Sequence, residues 1–266
     1  MEGLDFSPLK EPLIFDSHAH YDDQRFIEFG NKLYNELSKS VTGIITCGCD
    51  LKSCEKAEKI AESHNFIYFV AGIHPGEVDG INSRDIPRLI DKITRFTQHK
   101  KCIGIGEIGL DYYWTKETVD IQKKVFSAQL ELSKRLDLPV VVHDRDAHAD
   151  TLELLKKYTP KGVVHSFSGS VEMAEEIYKL GMYIGISGVI TFKNAKKLPD
   201  VVKAMPLDRF LLETDAPYLA PVPFRGKINN SSLIYYSAEK IAEIKGISTE
   251  NVLKCALENT KRLYDI

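Results

Sequence analysis

Two histidines, His18 and His20, stand two residues apart directly after the short apolar run Leu13-Ile14-Phe15. Because alternate side chains of a β-strand point to the same face, these two imidazoles are expected to point in one direction. Two neutral imidazoles aimed at one point are typical ligands of a divalent metal ion. The pair alone is equally compatible with histidines at a surface or a helix N-cap, so the interpretation depends on the rest of the chain.

Four more residues of ligand type follow later apolar segments, and they are Glu107, His143, His165 and Asp215. With the histidine pair they supply imidazoles and carboxylates, a mixture that suits Zn²⁺ or Mn²⁺, and Mg²⁺ where water completes the shell. One catalytic zinc needs about three protein ligands and an open position. The larger set therefore favours two metal ions that share a bridging carboxylate.

These residues meet only if the strands before them end at the same edge of one sheet. Short, continuously apolar segments alternate with helical segments, as expected for strands buried on both faces. We predict strands at Leu13–Asp16, Gly43–Cys47, Ile67–Ile73, Cys102–Glu107, Val140–His143, Gly162–His165, Met182–Ile186 and Phe210–Asp215. This pattern predicts a TIM (β/α)₈ barrel, whose active sites lie at the carboxyl ends of the strands. A doubly wound open sheet shows the same alternation, and the strand count alone does not exclude it.

Composition indicates one soluble α/β domain over residues 1–266, because 43% of the residues are hydrophobic and 27% are charged. The first residues are acidic and lack the apolar core of a signal peptide, and the longest apolar run, Phe66–Ile73, is too short to span a bilayer. We therefore expect a cytoplasmic protein without membrane association. The net charge of −3 gives no global attraction to nucleic acid, so a polyanionic substrate must be held by local cations or metals.

The five cysteines show no repeated CxxC spacing. Cys47 and Cys49 form a CxC near a predicted strand end, and Cys54 follows shortly after. Metal binding by these three is one interpretation, but buried and reduced thiols are favoured. Such cysteine usage is typical of a reducing compartment.

The predicted ligands indicate a hydrolytic chemistry. A water molecule between two cations about 4 Å apart has a lowered pKa, and the same cations hold an anionic oxygen of the substrate. Asp215 either takes the proton of that water or holds the water in line. We therefore expect hydrolysis, most naturally of a phosphate ester.

The whole chain resembles the TatD family of metal-dependent hydrolases in the amidohydrolase superfamily. The motifs that carry the resemblance occur in order and are Asp16-Ser17-His18-Ala19-His20, Gly72-Ile73-His74-Pro75, Gly106-Glu107-Ile108-Gly109-Leu110-Asp111-Tyr112-Tyr113, Val142-His143-Asp144-Arg145-Asp146, His165-Ser166-Phe167-Ser168-Gly169, Glu213-Thr214-Asp215-Ala216-Pro217-Tyr218-Leu219 and Phe224-Arg225-Gly226-Lys227. The resemblance implies a TIM barrel, a two-metal site and DNase activity, often exonucleolytic. It also implies two ligand sets, which are His18, His20, Glu107 and Asp215 for one ion, and Glu107, His143 and His165 for the other.

One departure from the family pattern and one comparison within the superfamily refine the resemblance. The family usually continues after Arg-Gly-Lys with Arg-Asn-Glu-Pro, whereas residues 228–231 here read Ile-Asn-Asn-Ser. Only Asn229 keeps its place, so the substrate preference is the property most open to change. Several relatives in the superfamily, phosphotriesterases among them, bridge their metals with a carboxylated lysine at strand four. This chain has Glu107 there, which favours the TatD family over those relatives.

Further residues are candidates for substrate binding. The resemblance suggests that His74 contacts a substrate phosphate, and a hydrogen bond that orients its loop is the alternative. Arg145 and Arg225 are candidate phosphate ligands, although exposed arginines are common on loops. Tyr113 and Trp114 are candidates for stacking on a nucleobase, with plain packing at the rim as the alternative.

Three hypotheses follow. The first is a divalent-metal-dependent phosphodiesterase, specifically a DNase that acts on strand ends, with DNA or another phosphodiester as its partner and no obligate protein partner. The second is an amide or ester hydrolase with the same site, acting on a small or tRNA-linked substrate. The third is a metal-binding scaffold without activity, which the complete ligand set argues against.

Overall fold

A parallel barrel forms the centre of the computed structural model, which describes residues 3–9, 11–114 and 116–266. Its strands are β1 (Ile14–Ala19), β2 (Val41–Cys47), β3 (Ile67–Ala71), β4 (Cys102–Asp111), β5 (Val140–Arg145), β6 (Gly162–Val164), β7 (Tyr183–Ile186) and β8 (Phe210–Leu212). Each strand pairs in parallel with the next one along the chain. The ring closes where Ala19 bridges to Ala216 and where the Asp215 amide donates to the His18 carbonyl at 2.9 Å. The predicted TIM barrel is confirmed, and a doubly wound open sheet is excluded because the strand order follows the sequence around the ring.

Helices cover the outside of the barrel. They are α1 (Gln24–Ile27), α2 (Gly30–Leu37), α3 (Leu51–Ser63), α4 (Ile86–Phe96), α5 (Val119–Leu136), α6 (His148–Tyr158), α7 (Val171–Lys179), α8 (Leu198–Ala204), α9 (Ile234–Lys245) and α10 (Thr249–Tyr264). Local sequence explains several of their ends. Asp50 and Ser53 form a reciprocal capping box at the start of α3, and the Ser248 hydroxyl caps the start of α10. Asp137 ends α5 in the left-handed conformation, shortly before Pro139.

The hydrophobic core has two parts, one inside the ring of strands and one between the strands and the helices. The inner part includes Phe15, Ile45, Val70, Val141 and Leu211, which are all buried. The outer part joins the other face of each strand to the helices around it. Because both faces of the strands are apolar, polar side chains concentrate at the carboxyl ends.

The strand boundaries differ from the predicted ones at the functional end. β1 continues through His18 to Ala19, and β4 runs past Glu107 to Asp111, because these polar residues are buried and bonded rather than exposed. The expectation that Glu107 closes strand four is therefore wrong. The register between β4 and β5 shifts between Ile105 and Ile108, and such irregularities re-aim side chains near active sites.

In the part of the chain that the structure describes, no helix combines the length and apolarity needed to cross a membrane. The assignment of residues 1–266 to one domain and the cytoplasmic location stay predictions.

Candidate metal centre

The histidine pair lies at the carboxyl end of β1. His18 is the fifth residue of the strand and is fully buried, whereas His20 follows the strand. Their Nε2 atoms are 3.1 Å apart, which confirms that the two rings point to one place. The opposite nitrogen of each ring is held by β2, because His18 Nδ1 lies 3.3 Å from Cys47 Sγ and His20 Nδ1 lies 3.3 Å from the Cys47 carbonyl oxygen. Such contacts behind the ring leave both Nε2 atoms aimed at the same point.

Glu107 stands at the centre of the cluster and turns its two carboxylate oxygens to two different groups. Oε2 lies 3.4 Å from His18 Nε2 and 3.6 Å from His20 Nε2. Oε1 lies 2.9 Å from His143 Nδ1 and 2.8 Å from His165 Nε2. One carboxylate thus separates two sets of ring nitrogens, which is the arrangement of a bridging ligand between two ions.

Asp215 completes the first set from the turn after β8. Its Oδ1 lies 3.2 Å from His20 Nε2 and 3.5 Å from His18 Nε2. The residue has a left-handed backbone with φ of 57°, which turns the chain sharply at the barrel rim. The turn is braced by the buried Asp16, which accepts hydrogen bonds from the Thr214 amide at 3.0 Å and the Thr214 hydroxyl at 2.6 Å.

The second set is oriented by carboxylates behind the rings. Asp111 Oδ2 lies 3.1 Å from His143 Nε2, so Nδ1 is the nitrogen that faces Glu107. Glu213 Oε1 lies 3.7 Å from His165 Nδ1, so Nε2 is the nitrogen that faces Glu107. Carboxylates in this position hold a ligating imidazole in one orientation and raise its basicity.

The electrostatics of the cluster favour positive charge at its centre. Burial acts to raise the pKa of Glu107, but the facing imidazoles, led by His165, hold it well below its usual range. Burial opposes a low pKa at Asp215 as well, and the hydrogen bonds from His18 and His20 lower it all the same. Burial acts to lower the pKa of His20, but the hydrogen bond and charge of Asp215 raise it to about 9. Without a metal ion the two carboxylates thus recruit protons to the rings, and divalent cations supply the same positive charge.

The ring nitrogens and carboxylate oxygens of the cluster are therefore suitable ligands for divalent metal ions. Ring nitrogens and carboxylate oxygens that can hold a metal ion form several overlapping groups, among them His18–His20–Asp215 and His18–Glu107–His165. Neutral ring nitrogens only 3.1 Å apart, as in the first group, need a shared proton or a cation between them. The structure thus brings together all the residues that the sequence predicts as ligands.

The sequence analysis did not predict that three further residues lie next to Glu107 or next to the predicted ligands around it. They are Cys49, Asp111 and Glu213. Asp111 and Glu213 lie inside quoted motifs, but their roles depend on which ring nitrogen they face, which spacing does not reveal. The prediction of buried thiols holds for Cys47 and Cys54. Cys49 differs, since it is partly exposed and lies 3.8 Å from Glu107 Oε2.

Two adjoining cavities open over the cluster, with volumes of about 560 and 500 Å³. Both are lined by His143, Arg145, His165 and Asp215, so they form one trough across the centre. Lys196 and Lys197 line the first cavity only, and they add positive charge to that end.

His74 lies between the loop after β3 and the carboxylate of Glu107. Its Nδ1 accepts a hydrogen bond from the Gly76 amide at 2.9 Å, which orients the loop after β3. Its Nε2 lies 3.5 Å from Glu107 Oε1 and lines the second cavity. Burial lowers the pKa of His74 to about 4, so the ring is neutral and Nε2 carries its proton toward the trough.

The other predicted substrate residues lie at different distances from the trough. Arg145 lines both cavities, and its guanidinium lies over the ring of Tyr113 at 4.3 Å. Trp114 lines the second cavity and is 69% exposed, and the guanidinium of Arg145 lies 5.5 Å from the centre of its ring. Arg225 is exposed and lies over Phe192 at 3.7 Å, outside the lining of either cavity. The roles of His74, Arg145, Arg225, Tyr113 and Trp114 in substrate binding all stay predictions.

Comparison with known proteins agrees with this geometry. A model of the family described as TatD related DNase matches residues 15–265. The chain belongs to the TatD family. A metal-dependent hydrolase from Bacillus subtilis, YabD, is 39% identical over 258 residues, a match that covers 96% of this chain and 100% of the relative. The metal-dependent hydrolase YcfH from Escherichia coli is 35% identical, with 95% and 96% of the two chains covered.

Solved structures show the same barrel. That of YJJV, a TatD homolog from Escherichia coli, matches with a TM-score of 0.88 and 29% identity, covering 96% of this chain and 98% of that one. N-acetyl-D-glucosamine-6-phosphate deacetylase from Mycobacterium smegmatis matches with a TM-score of 0.61 and 10% identity, covering 96% and 76%, which extends the fold alone to a distant enzyme. As a TatD family member, the chain is a metal-dependent hydrolase.

Proposed function

We propose that this TatD family hydrolase is a phosphodiesterase that uses two divalent metal ions and acts on DNA. The observation that carries the proposal is the carboxylate of Glu107, whose two oxygens face two separate sets of ring nitrogens. Two ions at such a bridge suit the in-line displacement at a phosphate, in which attacking and leaving oxygens both need stabilisation. The description of the matching family as a DNase supports the choice of DNA.

The ligands fall into two sets around Glu107. Oε2, both histidines of the β1 pair and Asp215 would hold one ion, whereas Oε1, His143 and His165 would hold the other. When bound, two divalent cations lower the pKa of water and neutralise an anionic substrate oxygen. Zn²⁺, Mn²⁺ and Mg²⁺ all remain compatible with this mixture of nitrogen and oxygen donors.

The remaining chemistry belongs to the chain itself. Asp215 presents Oδ1 to the histidine pair, and its other oxygen, Oδ2, orients the attacking water and accepts its proton. The neutral His74 donates from Nε2 to a phosphate oxygen in the trough. Arg145 binds a second phosphate oxygen from the rim, where its guanidinium is already positioned on Tyr113.

Exchange of Arg145 for methionine should weaken substrate binding and leave the chemical step largely intact. A hydrogen bond to a charged group contributes about 1.5 to 3 kcal/mol, so KM for single-stranded DNA is expected to rise roughly tenfold to a hundredfold. The matched control is Arg95→Met, since Arg95 also lies on an aromatic ring, that of Phe96, but on the outer helix α4. An unchanged KM in R145M would remove Arg145 from the substrate site.

Metal uptake is expected to raise thermal stability. An ion at 100 times its Kd stabilises the folded chain by about 2.7 kcal/mol for each site, or roughly 5 to 10 °C in Tm for a chain of this size. The chain is stripped with a chelator and melted with and without added Zn²⁺ or Mn²⁺, and bound metal is counted by elemental analysis. Fewer than one bound ion per chain after metal is added back would contradict the two-metal proposal. It would favour the hypothesis of a scaffold without hydrolytic activity.

A substrate screen separates phosphodiesters from the amide and ester alternative. Residues 228–231 depart from the family pattern, yet Asn229 donates to the carbonyls of Thr214 and Tyr218, and Ser231 donates to Asp16. This segment thus braces the turn that carries Asp215. We expect hydrolysis of single-stranded or double-stranded DNA and of bis-(p-nitrophenyl) phosphate. Turnover of an N-acyl amide or an aminoacyl ester with inert phosphodiesters would reverse the assignment.

A further inference from the structure

A cysteine sulfur lies within the donor cluster and has no place in either ligand set described above. Cys49 Sγ is 3.8 Å from Glu107 Oε2 and 3.7 Å from His20 Nδ1. His20, Cys49 and Glu107 form a group whose ligand atoms all lie within 4.8 Å of one another. A thiol sulfur therefore lies beside Glu107 Oε2, the carboxylate oxygen that faces the first set.

The backbone holds this thiol in position. The Cys49 amide donates to the Ser53 hydroxyl at 2.8 Å, and the Cys49 carbonyl accepts from the His74 amide at 2.8 Å. The preceding carbonyl, of Gly48, accepts from the Glu107 amide at 2.9 Å, which ties this turn directly to the bridging residue. With its backbone bonded on both sides, Cys49 presents its side chain to the second cavity, which it lines.

The distances suit a shared metal ligand. Zinc binds sulfur at about 2.3 Å and oxygen at about 2.1 Å, so at an angle of about 110° between them two such ligands of one ion lie about 3.6 Å apart. The observed 3.8 Å between Cys49 Sγ and Glu107 Oε2 is close to that value. Other free cysteines are placed differently, since Cys54 donates to the Gly72 carbonyl and Cys102 to the Gly104 carbonyl.

We propose that Cys49 is a further ligand of the ion held between the β1 histidine pair and Glu107, and that its thiolate makes this position prefer thiophilic divalent ions such as Zn²⁺ and Co²⁺. The inference rests on the proposed metal centre and adds a soft donor to its nitrogen and oxygen ligands. When the ion binds, a sulfur–metal bond forms as the S–H bond breaks, and the proton leaves to solvent. Thiolate donors favour zinc-type ions over Mg²⁺ and Mn²⁺, which prefer oxygen.

Cobalt substitution tests this ligand without reference to activity. Stripped wild-type chain is titrated with Co²⁺ alone while the ligand-field bands in the visible and the sulfur-to-cobalt charge-transfer absorption in the near ultraviolet are recorded. Wild type is expected to show both. Cys49→Ser should keep the ligand-field bands and lose the charge-transfer absorption, and Cys49→Ala serves as a second variant of different polarity. Cys255→Ser, on α10, is the matched control and should behave as wild type.

A competition with a metal chelator gives an independent readout. In Cys49→Ser, the affinity for Zn²⁺ is expected to fall by about tenfold to a hundredfold, with little change for Mn²⁺. Ligand-field bands without charge-transfer absorption in wild type, or a charge-transfer absorption that persists in Cys49→Ser, would overturn the role of Cys49 and leave the metal centre standing. If wild type takes up no Co²⁺ at all, the metal centre itself fails, and the inference fails with it.

Discussion

Exchange of Glu107 for glutamine is expected to slow phosphodiester hydrolysis by roughly a thousandfold, which is about 4 kcal/mol of transition-state stabilisation. The side chain keeps its length and shape but loses its charge, and the amide nitrogen that replaces one oxygen has no lone pair to offer an ion. Whichever way the amide turns, one of the two ligand sets loses its central oxygen. Initial rates on bis-(p-nitrophenyl) phosphate at saturating metal measure the loss, and Glu107→Ala should lose at least as much.

The reason lies in the number of groups that converge on this one residue. Glu107 is 3% exposed, and its oxygens lie within 3.6 Å of ring nitrogens from β1, β5 and the end of β6. In the glutamine variant, elemental analysis should find bound metal reduced from two ions to one or fewer. Glu239→Gln changes an exposed residue of α9 in the same way and should leave both metal content and rate unchanged.

The circular dichroism spectrum decides how a loss of activity is interpreted. A Glu107→Gln chain with the wild-type spectrum and no activity supports the bridging role. Retained turnover in that variant, with two ions still bound, would show that the carboxylate does not bridge the ions and would remove the observation on which the proposed function depends.

The barrel was predictable from sequence because its strands are short, continuously apolar and separated by amphipathic helices. Each predicted strand is present, and the errors lie at the ends. The first and fourth predicted strands stop at a polar side chain, but β1 continues through the buried His18 and β4 past the buried Glu107. The last predicted strand, Phe210–Asp215, is too long, because β8 ends at Leu212. Buried polar groups that are satisfied by one another do not appear as strand residues in a hydrophobicity pattern.

The sequence predicted which residues form the candidate site, but not which atoms of those residues face one another. Histidines and carboxylates after successive strands must converge in a closed barrel, so the ligands could be named. The sequence could not show which cysteine sulfur enters the cluster, since Cys47 and Cys49 have the same residue type and lie two positions apart. The β2 register aims Cys47 at His18 Nδ1, and the hydrogen bonds around Cys49 present it to the trough.

The turn that carries Asp215 is held by hydrogen bonds from residues 228–231, the segment that departs from the family pattern. Asp16 Oδ2 accepts the Ser231 hydroxyl at 2.6 Å, and Ser231 also lies 2.7 Å from the Tyr21 hydroxyl. Ser231 stands where the family pattern has a proline. A proline side chain has no hydroxyl group, so it could not donate this hydrogen bond to Asp16. Residues 228–231 thus support the turn that carries Asp215 although they depart from the family pattern.

Exchange of Asp215 for asparagine should lower kcat by about a hundredfold to ten-thousandfold, because it removes the group that we propose accepts the proton of the attacking water. Asparagine tolerates the left-handed backbone of this position, where φ is 57°, so the turn is expected to keep its shape. Asp265→Asn is the matched control, since Asp265 has a φ of 54° and ends α10 far along the chain from the trough. Its rate and stability should equal those of wild type.

Asp215 also faces the histidine pair, so a loss of metal and a loss of the base must be separated. Rates are therefore measured across a series of Mn²⁺ concentrations. A role as ligand alone predicts that kcat of Asp215→Asn recovers at saturating metal, with only the apparent metal affinity reduced. A role in proton transfer predicts that kcat stays low at saturation while KM for DNA changes little, because the asparagine still fills the site but cannot accept a proton. Full recovery of kcat would therefore assign the proton to another group in the trough.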